Sequence, residues 1–284
     1  MAYNLSNLLE SAYRALGRTY SFVATGGSAT TAICTNLKEK YQEGDIDDYT
    51  LFVSTTTDGL TPQGRYAAVS SYLESTNTIT MATVTDVIAA GDVITLADTQ
   101  FPLQEMIALA NLALSSLGDM VFVDTSLTAA SGQTEYDIPV TMKRCKPFKV
   151  QIQGVTDDSD NNQYKTISGS AYEIVPVTAG SVGKLIFRDE QEDGHTIKIW
   201  YAGVHPELTS YNSTVSEYIH PQLAQAALVF QALNWMNSQT AGSNDFWMQR
   251  QNAAQREFEI ALQRFPIWKP KRSNALLDVG IYDS

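Results

Sequence analysis

Apolar side chains recur at helical spacing in four places along the chain. Leu5, Leu8, Leu9, Ala12 and Leu16 share one face, and Gly17 follows where a left-handed cap residue is wanted, so the spacing predicts a helix over 4–16. The stretch FPLQEMIALANLALSSLGD repeats the design. Leu103, Met106, Ile107, Ala110, Leu114 and Leu117 form its stripe, with Pro102 near the start and Gly118 at the end, which predicts a helix over 102–117. Further on, STVSEYIHPQLAQAALVFQALNWMNSQ opens on a capping-box pattern, Thr214 to Glu217, and carries Ile219, Leu223, Ala226, Ala227, Phe230 and Leu233 on one stripe. Pro221 fits the first turn of that helix, where a missing N–H is tolerated. The fourth segment, SNDFWMQRQNAAQREFEIALQRF, aligns Trp247, Ala254, Phe258, Ala261, Leu262 and Phe265.

Between these segments the period shortens. Residues 19–98 hold brief apolar runs, YTLFVSTTT, GRYAAVSSYL, NTITMATV and DVITLA, punctuated by turn residues, as in a small antiparallel β unit. A second set, TEYDIPV, PFKVQIQGV, YEIVPV and GKLIFRDEQEDGHTIKIWYAG, fills about 120–203. Asp193-Gly194 reads there as a hairpin turn between Leu185/Phe187 and Ile197/Ile199/Tyr201. Four stripes need one another to bury their apolar faces. The expected fold is therefore α+β: a four-helix hub with two inserted antiparallel β units and an extended C-terminal arm. The hub takes 1–18, 99–119 and 204–265, the β domains 19–98 and 120–203, and the arm 266–284.

Composition narrows the function. A net charge of −12 opposes a general grip on nucleic-acid phosphates, and residues 21–98 alone hold three Lys/Arg against ten Asp/Glu. Cys34 and Cys145 lack a CxxC or Cys/His pattern and imply a reducing compartment, so the sequons at Asn4 and Asn212 read as chance matches. No stretch approaches a membrane span and the N-terminus has no secretory pattern, so no membrane partner is expected.

Candidate chemistry is sparse. GGSATT at Gly26–Thr31 lacks the Lys and the following helix of a phosphate loop and reads as a turn. His195, His205 and His220 form no metal-binding pair. DDSDNN at Asp157–Asn162 alternates oxygen ligands but lacks the Gly and the acid of a calcium loop, Ser168 standing at the twelfth position. DIDD at Asp45–Asp48 and DEQED at Asp189–Asp193 read as solvated turns. No catalytic residue, metal or cofactor is expected.

The closing stretch, RFPIWKPKRSNALLDVGIYDS, is the informative one. Pro266 and Pro270 forbid helix continuation, yet Leu276, Leu277, Val279, Ile281 and Tyr282 are side chains that a free tail has no reason to carry. Packing back on its own domain and simple fraying are the plain readings. The third is an arm that docks on a neighbouring subunit through Phe265, Ile267, Trp268 and those apolar residues, with Lys269, Lys271 and Arg272 meeting an acidic surface.

The order helix, β insert, helix, β unit, two helices, apolar arm resembles the head-to-tail connector (adaptor) proteins of tailed bacteriophages. FPLQEMIALANLALSSLGD (101–119), TEYDIPVTMKR (134–144), YAGVHPEL (201–208), AALVFQALNW (226–235) and ALQRFPIWKPKR (261–272) carry the likeness. The resemblance implies a structural virion protein, not an enzyme, made in the host cytoplasm and placed at the neck. It implies a homo-oligomeric ring, usually twelvefold, beneath the portal protein. Such a ring extends the DNA channel, lets DNA pass without specific binding, and offers a platform to tail, stopper or fibre proteins. The alternatives are another neck or tail protein (tail completion, collar or fibre attachment) and, behind it, a glycan hydrolase.

Overall fold

The computed structural model describes residues 3–17, 19–138, 146–153, 164–175, 183–239 and 245–267. The chain divides into two compact units, Met1–Leu117 with Pro206–Ile267, and Gly118–His205.

In the first unit, α1 (Leu5–Ala15) starts where Asn4 and Asn7 cap each other. The Asn7 amide donates to Asn4 Oδ1 at 2.9 Å and the Asn4 amide to Asn7 Oδ1 at 3.4 Å. It ends at Gly17, whose φ of +71° closes the last turn. All five residues of its expected stripe are buried. α2 (Leu103–Ser116) buries Met106, Ala110 and Leu114 and likewise stops before a glycine, Gly118, at φ +93°.

α3 (Pro221–Gln239) begins at the proline itself, not at the Thr214–Glu217 pattern. The residue before it, His220, supplies the cap: its carbonyl accepts from Leu223 and Ala224, and its Nδ1 accepts from the Gln222 amide at 3.3 Å. Proline at the first helical position wastes no donor, because that N–H has no intrahelical partner. α3 is buried on several sides, at Leu223, Ala224, Leu228, Val229, Ala232 and Met236, because α1, α2 and α4 (Asp245–Arg264) all pack on it. Arg250 of α4 donates to the Leu16 carbonyl at 3.0 Å, and Gln225 of α3 to the Ser11 carbonyl at 3.1 Å.

The same unit holds a seven-stranded antiparallel sheet: β1 (Thr19–Val23), β2 (Gly26–Gly27), β3 (Thr31–Ile33), β4 (Thr50–Thr55), β5 (Tyr66–Leu73), β6 (Thr78–Met81) and β7 (Val93–Ala97), in spatial order β1-β7-β4-β5-β6-β3-β2. The central strand β4 buries Leu51 and Val53 in a cluster with Val69, Ile79, Ile94 and Leu96. Its Phe52 meets Tyr13 of α1, with ring centroids 5.7 Å apart. A bulge at Ser54, where Val53 pairs with Ile94 and Thr55 with Val93, turns that hydroxyl toward α1. Ser54 Oγ donates to Glu10 Oε1 at 2.6 Å, while Arg14 reaches Glu10 at 2.7 Å and Thr95 Oγ1 at 2.9 Å. The N-terminus closes the unit: Leu5 donates to the Ser213 carbonyl, Ser6 to that of Tyr211, and Val215 to that of Tyr3.

The second unit carries two further antiparallel sheets. One orders β11 (Tyr164–Ile167), β10 (Lys146–Gln153), β14 (Thr196–Gly203) and β8 (Met120–Thr128), and the other β12 (Tyr172–Val175), β13 (Lys184–Phe187) and β9 (Glu135–Asp137). Their shared core holds Val150, Leu185, Phe187, Ile197 and Ile199.

The expected architecture is thus corrected. Antiparallel β dominates, with fourteen strands in three sheets beside four helices among the described residues, instead of a four-helix hub with two inserted β units. The reason is that α1 is claimed on two sides. Its leucines meet helices, while Tyr13, Glu10 and Arg14 bind the first sheet, so helices and sheet bury one another in one unit. The expected β13/β14 hairpin also fails. Gly194 does turn, at φ +81°, but its amide and the His195 carbonyl bond Ala129, and the two strands enter different sheets.

Candidate partner-binding surfaces

The expected site residues divide at residue 267. Phe265 and Ile267 are described; Trp268, Lys269, Lys271, Arg272, Leu276, Leu277, Val279, Ile281 and Tyr282 lie outside the described residues. Phe265 follows the last turn of α4, where its amide still donates to the Ala261 carbonyl at 2.8 Å. Its ring lies flat on His220, with centroids 3.7 Å apart and planes 1° from parallel. One imidazole thus caps α3 through Nδ1 and clasps the end of α4 through its face, fixing the point from which the chain leaves at Pro266. A second stack, Phe230 on Phe258 at 5.8 Å, joins the same two helices along their length. Phe101 packs between Trp235 and Trp247, 6.4 Å from each, and joins them to the start of α2.

α4 carries exposed apolar residues on two roughly opposite sides, Phe246 with Ile260 and Met248 with Leu262, that the expected stripe did not account for. Phe246, Met248 and Ile260 are exposed, and Leu262, which the spacing assigns to the buried stripe, is exposed as well. On the sheet, Tyr20 and Val23 of β1 stand out in the same way.

The remaining sequence candidates do not converge. Gly26–Gly27 is the short strand β2, and a Cβ on Gly27 would collide with the Thr31 carbonyl, so glycine is demanded by a tight hairpin. Asp45 and Asp48 lie in a turn, Asp45 accepting from the Gln42 amide and Asp48 at φ +65°. Asp193 accepts from the Ser131 amide at 3.1 Å. His195 lies 3.9 Å from Glu192, His205 is buried, and among the described residues no group of three His, Cys, Asp or Glu could hold a metal ion. Asp157–Asn162 and Cys145 fall outside the described residues. No described helix is long and apolar enough to cross a membrane.

The described surface thus offers exposed apolar residues on α4 and β1 and an aromatic clasp between α3 and α4. Comparison with known families supplies the class. The profile of the SU10 adaptor protein family matches residues 67–275, from within β5 through the second unit and past α4, and the chain belongs to this family of phage adaptors. It is a structural, virion-associated protein that contacts other phage proteins. No curated protein and no solved structure matches it.

Proposed function

We propose that the chain is a head-to-tail connector: copies form a ring below the portal, extend the DNA channel and present the platform on which the tail is attached. The segment after Phe265 is the arm that ties each copy to its surroundings. The observation that carries this reading is the His220–Phe265 clasp, which anchors the root of a segment rich in strand-forming residues at a defined place on α3 and α4. Its basic residues Lys269, Lys271 and Arg272 suit a docking surface of opposite sign, such as the acidic β regions of a like chain.

The test joins a truncation to an image. Removing residues 268–284 is expected to leave thermal unfolding unchanged and to reduce incorporation into particles at least tenfold. A symmetry-resolved electron-microscopy reconstruction of the neck is expected to place twelve copies beneath the portal. Normal incorporation of the shortened chain would end the arm reading, and a three- or sixfold location would move the protein to the tail or its fibres.

A further inference from the structure

Every open sheet offers two unpaired edges, and edge strands associate unless something prevents it. The three sheets have six edge strands among the described residues: β1 and β2, β11 and β8, β12 and β9. Five of them carry a deterrent. β2 is two glycines long. β8 is bulged, with Thr125 and Ser126 opposite Lys198 alone, and Asp124 turned back onto Ser126. β9 is three residues long with Glu135 and Asp137 exposed, β11 exposes Lys165, and β12 exposes Glu173.

β1 has none of these devices in its own sequence. Its sequence, TYSFV, holds no charge and no proline, and it pairs with β7 in an unbroken register from Thr19↔Ala97 to Val23↔Val93. The Ala24 amide donates to the Asp92 carbonyl and the Ala24 carbonyl accepts from Gly91, so Ala24 turns its backbone toward the β7 side. Alternation then points the amides of Ser21 and Val23 outward, where no described strand pairs with them. Val23 is 60% exposed and Tyr20 44%. Tyr41 packs edge-on to Tyr20, and Lys40 Nζ lies over the Tyr20 ring, 2.6 Å from its centroid, so one side of β1 also carries a cation.

We propose that β1 is the receiving edge for the closing segment, Leu276–Tyr282, of a second copy. The inference rests on the arm reading given above and names where the arm goes. In the sequence LLDVGIY the strand period sets Leu277, Val279 and Ile281 on one face, the pattern an added strand needs. The basic residues Lys269, Lys271 and Arg272 precede it, matching the region of β1, where residues 21–98 hold ten acids against three bases. Eight residues lie between Ile267 and Leu276, and the nine Cα steps that join them span about 30 Å when extended. A tail that pairs with the β1 edge of the next copy is a head-to-tail contact, the kind that closes a ring when the rotation between successive copies divides the full circle.

Full-length chains carrying Val23→Lys or Val23→Pro test this. The lysine puts a charge on the open edge, and the proline removes an outward donor without touching the β7 ladder. Each is expected to keep the wild-type unfolding midpoint and to lower incorporation into particles at least tenfold, with no further loss when residues 268–284 are also removed. Should a variant fold poorly, cross-linking decides. Particles built from mixed Val23→Cys and Val279→Cys chains, all carrying Cys145→Ser as well, are treated with a short thiol cross-linker, and particles carrying Cys145→Ser alone serve as control. Cys34 stays silent because it is fully buried, with its thiol pushed up to about 12. Links between copies support the proposal. The absence of a link between positions 23 and 279 in assembled particles overturns it. If truncation blocks incorporation but the Val23 variants assemble normally, the arm docks elsewhere and only the β1 assignment falls. If truncation itself has no effect, the arm reading falls with it.

Discussion

Tyr13 shows how much one side chain of α1 holds together. Its ring packs on Phe52 of the sheet, and its hydroxyl donates to the Phe101 carbonyl at 2.6 Å, at the entry to α2. Burial keeps that phenol neutral and pushes its pKa well above the ordinary tyrosine value. Burial likewise raises Tyr3, Tyr41, Tyr66, Tyr72 and Tyr172. A group whose pKa is higher folded than unfolded gives stability that is complete below the unfolded value, about 10, and is lost as pH rises through the folded value. The unfolding midpoint should therefore hold up to about pH 10 and fall above it. The phenolate absorbance of these six tyrosines should appear together with unfolding, not before it. Tyr13→Phe is expected to cost about 1–3 kcal/mol at neutral pH, since it leaves a buried carbonyl without its donor. A loss within a few tenths of that of an exposed-site control would mean that water replaces the hydroxyl.

At the scale of elements, the joint between α3 and α4 depends on His220 in two separable ways. His220→Asn keeps a side-chain acceptor for the Gln222 amide but removes the ring, while His220→Phe keeps the stack and removes the acceptor. Both are expected to lower stability by about 1 kcal/mol, through the stack in one case and the cap in the other. Phe265→Ala should match His220→Asn and add little to it in a double-mutant cycle, because the two remove one contact. The four helices were legible from sequence because their signals are local: a 3.6-residue period, a glycine past Leu16 and Leu117, and a proline at the entry. The start of α3 was misread because Thr214–Glu217 imitates a cap that Pro221 and His220 supply later. Strand partners were the hard part. β8 hides its alternation behind the Asp124–Ser126 bulge, and Asp193-Gly194 looks like a hairpin although its flanking strands are claimed by distant residues. Phe265 and Ile267 were visible as apolar residues past a helix end, but the open edge of β1 was not, since a strand becomes an edge only by what fails to pair with it.

For the whole molecule, the net charge of −12 governs behaviour toward DNA. Neutralising phosphates requires clustered cations, and the region 21–98 carries a net −7 from three bases and ten acids. Purified chain at micromolar concentration should therefore fail to retard duplex DNA at physiological salt, and lowering the salt to about 50 mM should not produce binding. A retarded species with a steep salt dependence would reveal a basic surface that the overall charge conceals. The bonds from Tyr3, Leu5 and Ser6 to residues 211–215 bear on a different matter, the order in which the chain can fold as it is made. The first helix leaves the ribosome long before its partners exist; at about 5–20 residues per second the wait is roughly 10–40 s. During that interval the leucine face of α1 has only α2 and the first sheet to cover it. The nascent chain is thus a natural client for a chaperone until α3 arrives, and a product cut short before residue 211 keeps α1 without its clasp.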